Sequence, residues 1–453
     1  MLRLDALGPG GPYRSRRQET LHDVTGNPTA TLSLAPPLYL TRTMSALHRA
    51  TTLPADERLA AIARAGEAFA TEPIAGVTVH EYQHTVAAVA GVPITVVREA
   101  TDAIARAARR VGHFVHNARP IGAVDGWRDP LTRAGRAVWT RRGEVFAVHA
   151  AGNHPAVHQG WLEALALGYR IAVRPSRREP FTPHRLISAL RAAGIGDDRL
   201  VLLPTDHDAA DEILRQADLG MVYGGDDVVR KYAGDRRILP QGPGRSKILI
   251  TADTDWEPLV DMLVTSIGGG GGVGCVNATG IFVEGDVAAV AAAVSERLAA
   301  LPSLPATDDN AALPVQPIET ARRWEQHLRQ RAGTARAWLG GDGIVADLGD
   351  GSAVLRPAVH QLDDPRAEQL GAELPFPCAW IAPWTRAAGI APLRDTLVLT
   401  ACTTDEDLID ALVADPTIAN VHLGAHPTTW MRPGLPHDDY LGGFLMRGKT
   451  ILR

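Results

Sequence analysis

The stretch Gly143-Glu144-Val145-Phe146-Ala147-Val148-His149-Ala150-Ala151-Gly152-Asn153-His154-Pro155 decides how this chain folds. Residues 145–149 are apolar without a two-residue alternation, which is the pattern of a strand covered on both faces. Gly152 and Asn153 then turn the chain, and Pro155 opens a helix predicted to run to residue 167. The same alternation continues downstream. Strands are predicted at 169–173, 200–203 and 219–223, with helices at 183–193 and 209–216 between them. Strand–helix–strand units at this spacing predict a parallel, doubly wound sheet. A second α/β region is predicted from residue 246. It has strands near 246–250, 280–283, 396–400 and 421–423, and helices near 288–298, 320–331 and 405–415. Upstream lie a predicted strand at 29–34 and two amphipathic helices at 55–71 and 98–117.

The fold class read from this pattern is α/β: a parallel-sheet domain over residues 1–245, preceded by an N-terminal arm, and a second α/β domain over 246–425. A tail follows over 426–453. The chain has 453 residues, enough for two sizeable cores. Its formal charge of −5 argues against a nucleic-acid binder. Three cysteines (Cys275, Cys378 and Cys402) do not make a disulfide framework, so a reducing compartment is expected. No run approaches the ~20 apolar residues that cross a bilayer, and the opening residues lack an apolar signal core. A soluble cytoplasmic protein is therefore expected. Only Lys231, Lys247 and Lys449 are lysines, which leaves few candidates for Schiff-base chemistry.

Chemistry concentrates at three places. Cys275 ends the run Gly268-Gly269-Gly270-Gly271-Gly272-Val273-Gly274, where a thiol on a nearly bare backbone is open to attack a substrate. A buried cysteine after a flexible loop is the alternative. Asn153, at a strand-to-helix junction, either donates its amide to a developing oxyanion or caps the helix. Gln241-Gly242-Pro243-Gly244-Arg245-Ser246 forms a turn between the two regions.

In this order the three motifs resemble the aldehyde dehydrogenase superfamily, over roughly residue 55 to the end. Ala151-Gly152-Asn153 stands where the family has proline-tryptophan-asparagine. Val173-Arg174-Pro175-Ser176 is similar to its lysine-proline-serine strand end. Tyr223-Gly224-Gly225-Asp226 is similar to its threonine-glycine-serine turn, and Gly272-Val273-Gly274-Cys275 to its nucleophile segment. Glu373-Leu374-Pro375-Phe376-Pro377 weakly resembles a glutamate-x-phenylalanine-glycine-proline motif.

The resemblance implies Cys275 as nucleophile, with Asn153 and the Cys275 N–H holding the oxyanion. It also implies a nicotinamide site that uses Arg174, Ser176, Arg177, Gly224, Gly225 and Glu373.

One departure points to a branch. The family's glutamate base is Gln241 here, and an amide takes no proton at neutral pH. Hydrolysis of a thioester on Cys275 is then slow. The acyl-thioester reductases, such as those of bacterial bioluminescence, do not need that step. The expected reaction is reduction of an activated carboxylic acid to an aldehyde. The acyl group would arrive on CoA or a carrier protein, or as an adenylate from an acid-activating ligase. Arg177-Arg178 suit a ribose 2′-phosphate, so NADPH is expected, with NADH and solvated loop arginines as the alternatives. His158 and Trp161 either face the acyl group or pack in the core. A homodimer or homotetramer is expected, with Arg133, Arg136, Arg141 and Arg142 around Trp139 in an interface arm.

Two other functions stand beside this one. An aldehyde oxidiser would need another base, with Glu373 the candidate. A non-catalytic acyl-binding or partner subunit would keep the fold without the chemistry. His80-Glu81-Tyr82-Gln83-His84 spells a zinc-protease signature, but Ala87 stands where its longer form needs glycine. It is read instead as a surface helix beginning near Thr78, with no metal.

Overall fold

The computed structural model describes residues 1–432 and 434–452. The first sheet has the strand order Ile238–Gln241, Leu219–Tyr223, Val145–His149, Arg170–Arg174, Leu200–Leu202, Ala6–Gly8, Gly11–Tyr13. Its first five strands are parallel, and the N-terminal hairpin adds two antiparallel strands at one edge. From Val145–His149 the chain first builds outward to one side, then returns to lay Leu219–Tyr223 on the other. That reversal makes a topological switch point, and ligands of such sheets bind outside the carboxyl ends of the strands there. Asn153 follows one of the two flanking strands, and Gly224-Gly225 follow the other.

A second seven-stranded sheet has the order Arg336–Leu339, Ala358–Gln361, Cys378–Pro383, Ala278–Val283, Ser246–Ile250, Thr396–Cys402, Ile418–Leu423. All its pairs are parallel except that of the edge strand Arg336–Leu339. The central strands are buried along their length, as a sheet covered on both faces requires. The strand Met446–Ile451 returns to the first domain and pairs antiparallel with Arg136–Arg141. Among the described residues no helix is long and apolar enough to cross a membrane.

The helices Ala55–Thr71 and Ile94–Asn117 lie where apolar spacing put them, the second starting four residues early because Pro93 suits a helix entry. The helix Pro37–Arg49 was not expected. Pro36-Pro37 reads as the end of a strand, yet proline at a first helical position costs nothing. The strand Cys378–Pro383 was also missed, although it lies inside the second sheet. Pro375, Pro377 and Pro383 around it read as loop, but none interrupts a ladder that its neighbours need.

Candidate active site

The site is built on a sharp elbow. Helix Val260–Gly268 stops at the glycine run, and Gly270, Gly271 and Gly272 all take positive φ, at 63°, 78° and 67°. At Gly272 a β-carbon would lie 2.5 Å from the backbone nitrogen of Pro377, so glycine is required twice over. Asn277 fixes the elbow from inside. Its carbonyl oxygen accepts the Gly274 N–H at 2.8 Å, and its amide donates to the Ser266 and Gly269 carbonyls at 3.1 and 2.8 Å. The run that reads as flexible is therefore a clamped turn.

Cys275 emerges from this turn partly exposed, while Cys378 and Cys402 are buried with their thiols pushed up by desolvation. The Gln241–Ser246 turn packs against it. A β-carbon on Gly244 would lie 2.0 Å from the Cys275 carbonyl oxygen, and Ser246 Oγ donates to that same oxygen at 3.0 Å. From the first domain, the Asn153 amide donates to the Val273 carbonyl at 2.7 Å. The helix cap at that junction belongs to His154, whose Nδ1 accepts the Ala156 N–H. Asn153 thus faces the elbow rather than its own helix. That bond uses one of its two amide hydrogens.

Sequence reasoning missed the groups that complete the site. His437 Nε2 lies 3.4 Å from Cys275 Sγ, and His437 Nδ1 lies 3.5 Å from Asp438 Oδ1. Gln241 Nε2 donates to Asp438 Oδ2 at 2.9 Å, and the Asn420 amide donates to the His437 carbonyl. Desolvation alone would lower the His437 value, but Asp438 and Cys275 outweigh it and hold the imidazole well above its ordinary range. Thiol, imidazole, carboxylate and amide form one chain of contacts. No short pattern connects residues 162 positions apart. The one available hint was a histidine-aspartate pair in a glycine- and proline-marked loop, where functional groups often sit.

The other expected site residues fall into two groups. Glu373 lies beside the Gln241–Ser246 turn and accepts the Arg245 N–H at 2.7 Å, with its carboxyl pushed up by burial. Its position in that bond leaves it holding the turn. Gly152 packs against Ser176, whose oxygen a β-carbon there would meet at 2.2 Å. Arg177 spans Glu19 at 3.0 Å and Asp206 at 2.6 Å, and Arg174 approaches His207 at 3.4 Å. Arg178 donates to the Ala90 carbonyl at 2.8 Å.

His158 and Trp161 are fully buried. Trp161 Nε1 donates to His158 Nδ1 at 3.2 Å, and His158 Nε2 lies 3.9 Å from Glu179. Of the two readings made for them, core packing describes what they touch. Glu81 is spent in a capping box with Thr78 at the start of helix Val79–Ala90, which accounts for the zinc-like spelling. Among the described residues no group of three or more metal-ligating side chains occurs.

The sequence model of the aldehyde dehydrogenase family matches residues 19–384. The chain belongs to the aldehyde dehydrogenase family. Malonate-semialdehyde dehydrogenase 2 of Bacillus mycoides (strain KBAB4) is 26% identical over 145 residues, which are 30% of each protein. The matched part thus spans about a third of the curated relatives' length. Solved structures cover nearly the whole chain. An oxidoreductase from Marinobacter aquaeolei superposes with a TM-score of 0.81 at 18% identity, covering 99% of this chain and 98% of that one. The aldehyde dehydrogenase KauB from Pseudomonas aeruginosa gives 0.83 at 14%, covering 100% and 97%. At these identities the likeness establishes the shared aldehyde dehydrogenase fold, with its two α/β domains.

Proposed function

We propose that this protein is a nicotinamide-dependent oxidoreductase that reduces an activated carboxylic acid to its aldehyde through a thioester on Cys275. The observation that carries this reading is the occupancy of Gln241. The residue at the family's base position is an amide, and it is already donating to Asp438. It takes no proton from water, so the residue that hydrolyses an acyl-enzyme is missing from that place. An acyl reductase loses nothing by this.

The residues suit a nicotinamide dinucleotide at the switch point. Gly224 and Gly225 leave the strand end bare, and the Nε atoms of Arg174 and Arg177 are buried without a partner among the described residues. Cationic groups with unused donors suit a phosphate, and Arg177 beside Arg174 supports NADPH over NADH. Asp226 and Asp227 open the next helix and oppose a pyrophosphate, with Asp226 partly offset by Arg245 at 2.5 Å. When bound, the dinucleotide supplies the hydride. The chain's own residues do the rest. Cys275 attacks the carbonyl carbon, the Asn153 amide and the Cys275 N–H hold the oxyanion, and the elbow keeps the thiol aimed.

The acyl donor is proposed to be a CoA or carrier-protein thioester or an adenylate, and the working assembly a homodimer or homotetramer. A second reading, oxidation of an aldehyde to the acid, is favoured by one observation, His437 beside Cys275, which replaces the absent glutamate as a base. The test follows NADPH and NADH oxidation with a panel of aliphatic and aromatic acyl-CoAs, with Cys275→Ala alongside. Turnover lost in the variant and faster with NADPH is the expected result. Acid formed from aldehyde and NADP+ without CoA, and no acyl-CoA reduction, would give the second reading its place.

A further inference from the structure

Three features of the molecule call for a role that the family's usual residues do not fill. The pair His158–Glu179 is sealed in the core, and the exposed apolar residues Ile121, Trp127 and Leu131 precede strand Arg136–Arg141 with nothing in the structure to say what covers them. The third is the contact chain Cys275–His437–Asp438–Gln241, which joins the nucleophile of one α/β domain to the sheet edge of the other through the segment that follows strand Ile418–Leu423.

We propose that His437 is the acid–base residue of Cys275, and that Asp438 and Gln241 are positioning residues that hold its imidazole. The proposal deepens the reading above, naming the residue that activates its nucleophile.

The geometry is that of a cysteine–histidine couple oriented by a third group. His437 Nε2 faces Sγ at 3.4 Å, Asp438 faces the opposite ring nitrogen, and Gln241 fixes the far carboxylate oxygen. The tautomer follows from the partners, with Nδ1–H toward the carboxylate and Nε2 toward the thiol. The titratable groups facing this imidazole are Cys275 and Asp438. Behind them lies the Tyr223 phenol, pushed up by burial and by the charges of Cys275 and Asp438, so it stays neutral. Among the described residues Cys275 and Asp438 are the ring's side-chain hydrogen-bond and ion-pair partners. The His437 side chain is 41% exposed, which leaves room for a leaving group to reach it.

In the acyl-transfer half-reaction the thiol proton already rests on His437 Nε2, so the couple is a thiolate–imidazolium pair, and Sγ bonds to the carbonyl carbon. The bond from that carbon to the leaving group then breaks, and Nε2–H returns the proton to the departing atom. Nothing is oxidised or reduced in this step. The replacement of a carboxylate by Gln241 acquires a reason as well. A glutamate there would set two carboxylates against each other, whereas the amide donates to Asp438.

The test is alkylation of Cys275 in the full-length protein by iodoacetamide, which needs neither cofactor nor acyl donor. Cys378 and Cys402 are buried, and Cys275→Ala gives the background. In His437→Gln the rate at pH 6.5 should fall at least about tenfold while the rate at pH 9.5 stays within about twofold, because an imidazolium partner matters where free thiols are protonated. Asp438→Asn and Gln241→Ala should show smaller losses with the same pH signature, and added imidazole should restore rate to His437→Gly. A uniform pH dependence across wild type and these variants, each with an unchanged melting temperature, overturns the proposal. If the pH signature appears but no acyl-CoA is reduced, the proposed reaction fails and the couple stands; turnover with no effect of His437 does the reverse.

Discussion

Asn153 shows how much one side chain is asked to do. Its amide ties the first domain to the elbow through the Val273 carbonyl, and in the proposed reaction its second hydrogen holds the oxyanion. Asn153→Ala should lower kcat by about 10²–10³ with a smaller change in KM, the loss expected for one oxyanion donor. Steady-state kinetics with the best acyl donor checks this. Asn153→Asp should be no better, since a carboxylate repels the oxyanion it replaces a donor for. Cys275, Asn153 and Gln241 stand out in the sequence because each sits at a junction marked by glycine or proline, and the structure places all three around the elbow. His437 and Asp438 do not stand out, because their role depends on a segment folding back across both sheets. His158 and Trp161 show the opposite failure: helical spacing places them on a face, but spacing does not say whether that face meets a ligand or a buried glutamate.

Among the elements, the parallel strands were the easiest to find, since double-sided burial writes an unbroken apolar run. The helix Val79–Ala90 carries a chemical-looking motif that resolves into end-capping. Thr78→Ala should cost about 1 kcal/mol of stability, read from the midpoint of denaturant unfolding, with activity unaffected. The capping box explains why Glu81 faces back toward Thr78 instead of toward the two histidines. One reading of the glycine run is a flexible loop, yet Asn277 binds four backbone groups around it. Composition reports backbone freedom, while rigidity here comes from a single amide three residues after the glycines. Asn277→Ala should therefore slow both alkylation and turnover without moving their pH dependence.

At the scale of the whole molecule, burial of ionisable groups sets how stability varies with acidity. Glu179 lies in the core between strand Arg170–Arg174 and helix Phe181–Leu190, where desolvation raises its carboxyl to about 7. In the unfolded chain the same group loses its proton near the ordinary value of ~4.3. The folded state thus binds the extra proton between those limits, and stability from this site is present below the lower one. It is lost as pH rises through the upper one, by up to ~1.4 kcal/mol per pH unit for one proton. Glu179→Gln keeps the acceptor for the Thr182 N–H at 2.8 Å and stays neutral. Thermal melts from pH 4 to 8 should show the variant gaining on wild type as the solution becomes less acidic, with no gain at pH 4.

The distance along the chain between Cys275 and His437, 162 positions, has a consequence for biosynthesis. A ribosome makes Cys275 long before His437. Through that interval the nascent thiol lacks the imidazole that our proposal says activates it, so it meets electrophiles without that partner. Reactivity arrives only when the later segment docks, which makes chemical competence a late event in the maturation of each molecule.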